Sequence, residues 1–197
     1  MNGPVRILAF AGSTREGSYN RALIRQAAAF AGEAGAAVNL IDLDDFPMPI
    51  VNQDLELSHG IPLNSLAFKR LLFESDGFLI ASPEYNGFVT PLLKNCLDWA
   101  SRSETPDEKP LSAFRKKTAA ILSASPGSLG GLRSLSALRT LLTNLGVIVI
   151  PGQHAVSGAD KAIDGEGMLT DPGNVASVKR VVRELVRITS ALKAGVH

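Results

Sequence analysis

Cysteine and histidine are scarce in this 197-residue chain, which contains a single cysteine, Cys96, and three histidines, at positions 59, 154 and 197. A lone cysteine forms neither an internal disulfide nor a CxxC pair, and the histidines lack the spacing of metal ligands. These shortages exclude a cysteine-rich metal site and argue against a structural or catalytic zinc. The cysteine usage also fits a reducing compartment. We expect no bound metal.

Long apolar runs and a strong net charge are missing as well. No run approaches the roughly 18 to 20 residues that span a bilayer, and the N-terminus lacks a basic segment followed by a long apolar stretch. The formal net charge of +1 supports neither a nucleic-acid footprint nor a strongly acidic surface. We therefore expect a cytoplasmic protein without nucleic-acid or membrane partners, folded as a single domain over residues 1–197.

Short apolar runs alternate with helical patterns along the chain. The runs are nearly unbroken, which indicates strands buried on both faces, as in a parallel sheet covered by helices. The predicted strands are 5–11, 37–43, 77–81, 118–123 and 147–150, and the predicted helices are 20–34, 66–73, 91–101, 132–145 and 175–192. This alternation predicts an α/β fold with a doubly wound parallel sheet of five strands in the order 2-1-3-4-5.

Two long stretches lack this periodicity. Residues 44–64 contain several prolines and a glycine, and we expect them to be irregular and lid-like, because loops of that length in compact domains are usually functional. Residues 102–117 are charged and are interrupted by Pro106 and Pro110, so they are predicted to be a surface connection.

Residues 12–20, with the sequence Gly-Ser-Thr-Arg-Glu-Gly-Ser-Tyr-Asn, join the first predicted strand to the first predicted helix. The first N–H groups of a helix lack internal partners and carry the positive end of its dipole, so a bound phosphate satisfies both. The segment adds hydroxyls, an amide donor at Asn20, and the guanidinium of Arg15, whose donors match phosphate oxygens. It therefore predicts an anion site; the alternative is a capped turn that binds nothing.

Two further loops, 82–88 and 125–131, follow the third and fourth predicted strands. In the predicted strand order these loops and 12–20 meet at the switch point of the sheet, where ligands bind. Backbone groups around Asn86 can pair with the edge of a heterocycle, and Tyr85 can lie against a ring or a ribityl chain. A single phosphate loop without a GxGxxG pattern fits FMN better than a dinucleotide.

Four motifs together resemble the NADPH-dependent FMN reductase family, which includes chromate, quinone and azo-dye reductases. They are Gly12-Ser13-x-Arg15-x-Gly17-Ser18-x-Asn20, Pro83-Glu84-Tyr85-Asn86-Gly87, Leu93-Lys94-Asn95-x-x-Asp98-Trp99 and Ser125-x-Gly127-x-x-Gly130-Gly131, spread in that order over roughly residues 5 to 150. The resemblance implies a flavodoxin-like fold, tightly bound FMN, NADPH or NADH as co-substrate, and a homodimer that often pairs into a homotetramer.

The resemblance also assigns the cofactor-binding residues. Those implied to hold the phosphate are Ser13, Arg15, Ser18 and Asn20, and those implied to contact the ribityl chain and flavin ring are Pro83, Glu84, Tyr85, Asn86, Gly87 and Ser125. Tyr19 is also expected to bind the cofactor, without a more specific role. Phe88 stands where many relatives carry a small or polar residue, which alters the expected shape of the substrate pocket. The helix 92–99 is implied to lie at the dimer interface.

The implied activity is that of an FMN-dependent NAD(P)H oxidoreductase. Hydride passes from the nicotinamide to N5 of FMN, and a small acceptor then takes the nicotinamide's place, in a ping-pong sequence. The acceptors considered are quinone, free flavin, azo dye, nitroaromatic and a metal oxyanion such as chromate. Because the chemistry occurs on the flavin, no side chain is assigned as catalytic. N–H groups of the glycine-flanked loops, together with the helix start after Gly131, are expected to donate near flavin N1 and O2. Cys96 is expected to be a core or interface residue and to be redox-inactive.

Other interpretations stay open at this point. One is an electron-carrying flavodoxin, although such carriers are usually acidic; another is an FMN-binding regulatory or interaction protein. For single segments, the alternatives are a plain turn at 84–87, core packing for Tyr85, and a helix-start turn at Gly130 and Gly131. A response-regulator domain would need acidic residues at the strand ends, and a low-molecular-weight phosphatase would need a cysteine five residues before an arginine in the first loop; both are missing.

Overall fold

A computed structural model describes residues 3–195, which contain a five-stranded sheet with all its strands parallel. The strands are β1 (Arg6–Ala11), β2 (Ala37–Leu40), β3 (Gly77–Ala81), β4 (Thr118–Ala124) and β5 (Ile148–Val156). Their order across the sheet is β2-β1-β3-β4-β5, which confirms the predicted arrangement. This is the strand order of flavodoxin-like folds.

Helices cover both faces of the sheet. They are α1 (Tyr19–Glu33), α2 (Gln53–His59), α3 (Leu63–Glu74), α4 (Pro91–Ala100), α5 (Leu132–Asn144), α6 (Ala159–Ala162) and α7 (Pro172–Gly195). One hydrophobic core lies between the sheet and α1 with α7, and a second lies between the sheet and α3, α4 and α5.

The alternation of side chains along β1 shows why the strands are apolar throughout. Ile7, Ala9 and Ala11 point into the first core, whereas Leu8 and Phe10 point into the second. Successive residues of a strand face opposite sides, so a strand covered on both sides needs apolar residues at every position. Most predicted elements accordingly agree with the structure to within three residues at each end, and β3 agrees at both ends.

The predictions for the region after β2 are partly wrong. The second strand ends at Leu40 rather than at 43, because the side chain of Asp42 caps a short 3₁₀ helix, Leu43–Asp45, by accepting a hydrogen bond from the Asp44 N–H. The stretch predicted to be irregular contains α2, whose first amides donate to the Asn52 side chain. It also contains the first two residues of α3, which begins at Leu63.

The fifth strand is longer than predicted. The pattern ended at 150 because Pro151 and Gly152 normally terminate a strand, yet β5 continues to Val156 after a shift in register opposite β4. Arg139 stabilises the shift by donating from its guanidinium to the carbonyl oxygens of Val149, Ile150 and Pro151 at 3.3, 2.9 and 3.4 Å. A side chain from α5 thus supplies the hydrogen bonds that the irregular strand lacks.

The connection 102–117 lies on the surface as predicted, but it is anchored to the core. Phe114 is fully buried, and the almost completely buried Lys69 of α3 donates to the carboxylate of Glu108 and to the Arg102 carbonyl oxygen at 2.7 and 2.6 Å. This ion pair holds the connection against α3.

Among residues 3–195, no helix has both the length and the apolar character needed to cross a membrane. In the same range, His, Cys, Asp and Glu side chains nowhere gather in groups of three that could hold a metal ion. His197, one of the scattered histidines, lies outside the described residues.

Candidate active site

The loops after β1, β3 and β4 meet at one edge of the sheet, as predicted. We call residues 12–20 the anion loop, 82–88 the hairpin loop and 125–131 the glycine loop. The Gly12 N–H donates to the Ala81 carbonyl oxygen at 2.9 Å, and the Ser82 N–H donates to Leu122 at 2.9 Å, so the three loops begin side by side. They enclose a cleft of about 180 Å³. Its lining residues are Ser13, Arg15, Ser18, Tyr19, Asn20, Pro83, Glu84, Tyr85, Ala124, Ser125 and Pro126.

Nine of the eleven residues proposed from the sequence as cofactor-binding line this cleft. Asn86 and Gly87 do not, because they form the tip of a tight turn that stands outside it. Ala124 and Pro126 line the cleft without having been proposed. Their positions on either side of Ser125 at the end of β4 are the signal that could have identified them.

The anion loop ends in a capped helix start. The Ser18 side chain accepts from the Arg21 N–H, and the Ser18 N–H donates to the Arg15 carbonyl oxygen at 3.0 Å, which closes the turn. The N–H groups of Tyr19 and Asn20, in the first turn of α1, have no acceptor within the described chain, as expected for this position. They lie beside the exposed Arg15, whose guanidinium is 5.7 Å from the Tyr19 ring centre.

Gly12 allows the anion loop to pack directly against the start of α4. A Cβ atom at Gly12 would lie 3.1 Å from Leu93 Cβ and 3.2 Å from Thr90 Oγ1, which is closer than ordinary contact. Because the loop and the helix are this close, Thr90 Oγ1 donates to the Gly12 carbonyl oxygen at 2.7 Å, and the same side chain caps α4. A side chain at position 12 would force the two elements apart.

Asn20 has a structural role that the sequence did not predict. Its side chain is buried; Nδ2 donates to the Ala124 carbonyl oxygen at 2.8 Å, and Oδ1 accepts from the Ala124 N–H at 3.0 Å. Asn20 therefore ties α1 to the end of β4, and of its two side-chain hydrogens only the second one of Nδ2 is left for a ligand, besides the backbone N–H. Its proposed contact with the phosphate stays a prediction.

The hairpin loop carries two aromatic side chains at its tip. Tyr85 and Phe88 exchange backbone hydrogen bonds at 3.0 and 3.1 Å, and the two residues between them, Asn86 and Gly87, have φ values of +53° and +83°. This conformation is a type I′ turn, for which Asn-Gly is the preferred sequence. Tyr85 and Phe88 are 55% and 52% exposed, so core packing is ruled out for Tyr85.

The carboxylate of Glu84 is hydrogen-bonded to the N-terminal end of α5, which was predicted to face the ligand. The carboxylate accepts from the N–H groups of Arg133 and Ser134 at 3.1 and 3.4 Å, and from Arg133 Nε at 2.7 Å. The preceding Leu132 N–H donates to the Leu129 carbonyl oxygen. The expectation that the helix after Gly131 donates to a flavin is therefore wrong, because the protein's own carboxylate takes those donors.

The glycines of the third loop are required by close packing. A Cβ atom at Gly130 would lie 2.7 Å from the Ser157 nitrogen, and both Gly130 and Gly131 have positive φ values, 61° and 89°. The Ser123 side chain fixes this turn by donating to the Gly130 carbonyl oxygen at 2.8 Å. Ser125, at the other end of the loop, accepts from the Gly127 N–H at 3.2 Å and presents its hydroxyl to the cleft.

The fourth motif holds the segment before α2. Asn95 Nδ2 and Trp99 Nε1 both donate to the Pro49 carbonyl oxygen, at 2.9 and 2.7 Å, and the Val51 N–H donates to Asn95 Oδ1 at 2.8 Å. Trp99 is fully buried within the chain. Cys96 is also fully buried, and burial raises the pKa of its thiol to about 11.

Comparison with known proteins gives a consistent result. The sequence profile of a family described as NADPH-dependent FMN reductase matches residues 5–161. An NAD(P)H:quinone oxidoreductase of Solanum tuberosum is 33% identical over 192 residues, covering 96% of this chain and 95% of the plant protein. An NAD(P)H-dependent FMN reductase of Pseudomonas aeruginosa is 36% identical over 172 residues, covering 87% of this chain and 88% of the bacterial protein.

A solved structure supports the fold. The flavoenzyme NAD(P)H:(acceptor) oxidoreductase of Paracoccus denitrificans superposes with a TM-score of 0.80 at 23% identity, covering 95% of this chain and 98% of that one.

Proposed function

The chain belongs to the NADPH-dependent FMN reductase family, and from that premise we propose that it carries electrons from NADPH through FMN to a small acceptor. It is an oxidoreductase with FMN as cofactor and NAD(P)H as co-substrate. We further propose which residues bind FMN, which small molecules accept the electrons, in which order the substrates bind, and how the subunits assemble.

The observation that carries the proposal is the meeting of the three loops around one cleft. Arg15, the free N–H groups at the start of α1 and the hydroxyls of Ser13 and Ser18 form a single anion-binding group there. FMN has one phosphate, whereas a dinucleotide has a bridging pyrophosphate, so one such group matches FMN. The exposed ring of Tyr85 and the hydroxyl of Ser125 lie across the same cleft, where the ribityl chain and flavin require apolar and polar contacts.

We assign the phosphate to Ser13, Arg15, Ser18 and the N–H groups of Tyr19 and Asn20. The ribityl chain and ring are assigned to Pro83, Tyr85 and Ser125, which line the cleft. The backbone of Asn86 and Gly87 is assigned to the part of the ring that extends beyond the cleft. Glu84 borders the cleft but acts through Arg133 and Ser134, which hold the hairpin loop against α5. Its role is to keep two sides of the site at a constant separation.

Bound FMN supplies the redox chemistry, since it accepts a hydride and passes its electrons on one or two at a time. The protein's contribution is to hold that group while leaving one face of it open. The hairpin loop suits this task because its type I′ turn leaves the side chains of Tyr85 and Phe88 more than half exposed. We propose that Tyr85 and Phe88 border the place where nicotinamide and acceptor are bound in turn.

The acceptors that we propose are small oxidants. They are planar organic molecules, namely quinone, free flavin, azo dye and nitroaromatic, or a metal oxyanion such as chromate. Sharing one place between nicotinamide and acceptor requires a ping-pong sequence. Initial rates at several fixed quinone concentrations test it, because parallel double-reciprocal lines are expected and intersecting lines would contradict a shared place.

The cofactor assignment is tested by the visible spectrum of the purified protein and by anaerobic titration with NADPH. Flavin absorption bands are expected, and they should bleach rapidly without a partner reductase. A colourless protein that fails to take up added FMN would overturn the proposal. A protein with flavin that NADPH cannot reduce would instead indicate an electron carrier or a regulatory flavoprotein.

We propose that the chain forms one domain and assembles as a homodimer, with further pairing into a homotetramer. One domain is supported by α7, which packs back over β4, β5 and α1. A dimer surface is supported by three aliphatic residues that are more than four-fifths exposed, Ile50, Leu57 and Leu63, at 84%, 86% and 82%. Arg102, just after α4, is bonded to Glu56 of α2, so this surface adjoins the helix implied to lie at the interface.

The assembly is tested by light scattering of the wild type and of Leu57→Lys. We expect a dimer or tetramer for the wild type and dissociation for the variant. The lysine would place a charge in the apolar contact that Leu57 makes between subunits in the proposed assembly. Leu192→Lys, an exposed leucine on α7, is the control and should not dissociate. A monomeric wild type at all concentrations would contradict the proposal.

A further inference from the structure

Arg21 links the anion loop to the end of β2. From the first turn of α1 its side chain bends back, and Nη1 donates to the Thr14 carbonyl oxygen at 2.9 Å. Nη2 donates to the carboxylate of Asp42. Arg21 does not line the cleft, so it contacts the anion loop from outside.

Asp42 is held independently of Arg21. The N–H of the preceding residue, Ile41, donates to the Ala9 carbonyl oxygen of β1 at 3.0 Å, and Asp42 Oδ1 accepts from the Asp44 N–H at 3.1 Å. One carboxylate oxygen therefore caps the 3₁₀ helix while the other faces Arg21. Asp42 gives the guanidinium a stationary partner at the edge of the sheet.

Arg21 and Asp42 both line a cavity of about 330 Å³. Its other lining residues include Arg25, Asp45 and Phe46. The hydrogen bonds of the guanidinium go to the Thr14 carbonyl oxygen and the Asp42 carboxylate, beside this unfilled space. Loss of Asp42 would leave Arg21 room to move away from Thr14.

The Thr14 carbonyl oxygen shares a peptide plane with the Arg15 N–H. The described chain has no cis peptide bonds, and in a trans peptide the C=O and N–H point in opposite directions. A hydrogen bond that fixes the Thr14 C=O toward Arg21 therefore directs the Arg15 N–H away from Arg21. Arg15 lines the cleft, whereas Arg21 lines the cavity, so the Thr14–Arg15 peptide connects a residue of the cleft to the contact that Arg21 makes from the cavity.

We propose that Arg21 and Asp42 are positioning residues for the phosphate of FMN, acting through the Thr14–Arg15 peptide. The proposal rests on the proposed function, in which the anion loop holds that phosphate. Arg21 fixes the backbone from which Arg15 extends, and Asp42 fixes Arg21. Neither residue contacts the ligand.

The test compares the binding of FMN with that of riboflavin, which has the same ring and chain but no phosphate. Binding is measured by quenching of flavin fluorescence with apoprotein of the wild type, Arg21→Met, Asp42→Asn and Arg21→Lys. We expect FMN affinity to fall about tenfold in Arg21→Met and Asp42→Asn, while riboflavin affinity changes less than about twofold. Arg21→Lys keeps one charged donor and should recover part of the loss.

Two matched controls lie on the same cavity. Arg25→Met removes a positive charge one turn further along α1, and Asp45→Asn removes a negative charge near Asp42; neither side chain is bonded to the anion loop. Both should bind FMN like the wild type. A similar loss of FMN affinity in Arg25→Met would show that long-range charge, not positioning, causes the effect.

The outcomes separate this proposal from the function itself. Equal losses for FMN and riboflavin in Arg21→Met would show a general disturbance of the fold and overturn the positioning role. Unchanged FMN affinity in Arg21→Met and Asp42→Asn, alongside weakened binding in Arg15→Ala, would overturn the positioning role alone. A wild type that binds neither flavin would overturn the proposed function.

Discussion

Glu84 and Arg133 are joined by both a backbone and a side-chain hydrogen bond. Glu84 Oε2 accepts from the Arg133 N–H, and Oε1 accepts from its guanidinium. The carboxylate belongs to the loop after β3, and the amide belongs to the helix after β4, so Glu84 connects the hairpin loop to α5, which directly follows the glycine loop. Its side chain is only 9% exposed, whereas that of Arg133 is 65% exposed.

Replacing Glu84 by alanine should destabilise the fold by about 1 to 2 kcal/mol, because the first N–H groups of α5 lose their cap. Urea unfolding of the apoprotein measures the change. Glu166→Ala, an exposed acidic residue in the connection before α7, is the control and should unfold like the wild type. Equal stability of Glu84→Ala and the wild type would show that the cap contributes nothing.

Arg15→Ala should weaken FMN binding at least about tenfold, because the charge-assisted hydrogen bonds to the phosphate are lost. The side chain is exposed, so the unfolding free energy should stay within about 0.5 kcal/mol of the wild type. Fluorescence titration gives the affinity, and circular dichroism checks the fold. Unchanged FMN affinity would mean that the phosphate is held elsewhere.

Acid should remove the contribution of the Lys69–Glu108 ion pair. Burial opposes ionisation of Glu108, but hydrogen bonds from Lys69, Ser112 and the Glu104 N–H outweigh it and hold the pKa of Glu108 below its usual value. A lowered folded-state pKa stabilises the protein above the unfolded value of about 4.3, and this contribution is lost as pH falls through the folded value.

The measurement is urea unfolding of the wild type and Glu108→Gln between about pH 6 and pH 3. The wild type should be more stable at the upper end, and the two curves should converge at the lower end, where Glu108 becomes neutral. A constant difference across this range would show that the carboxylate's charge is unimportant.

Cys96 should be inert toward thiol reagents in the folded protein. Its pKa of about 11 leaves roughly one molecule in a thousand as thiolate at about pH 8, and the side chain is fully buried. Reaction with Ellman's reagent should therefore require denaturant, with Cys96→Ser as the blank. Rapid reaction of the native protein would contradict this burial.

The order of strands and the place of the site were predictable from the sequence because they depend on local patterns. Apolar runs such as 77–81 record burial on both faces, and their alternation with helices leads to the order 2-1-3-4-5. That order places the ends of β1, β3 and β4 next to each other, so the loops that follow them must meet. Asn86-Gly87 similarly specifies its own turn.

The partners of individual polar groups were not predictable, because they lie far apart in the chain. Asn20 and Ala124 are 104 residues apart, and Glu84 and Arg133 are 49 apart. No local pattern distinguishes a carboxylate that caps a distant helix from one that faces a ligand. For the same reason β5 was predicted too short: Pro151 and Gly152 signal a strand end, and only Arg139 on another element offsets them.

The sequence by itself thus determined which loops border the cleft proposed as the site and which chemical groups they offer, since residue type and strand order suffice for both. Only the tertiary structure decided which of these groups are free. It leaves Arg15 exposed and the helix N–H groups open in the anion loop, whereas the side chains of Asn20 in that loop and of Glu84 in the hairpin loop are bonded to distant parts of the chain. The physical reason is that each donor or acceptor is satisfied by its nearest neighbour in space, and folding determines that neighbour.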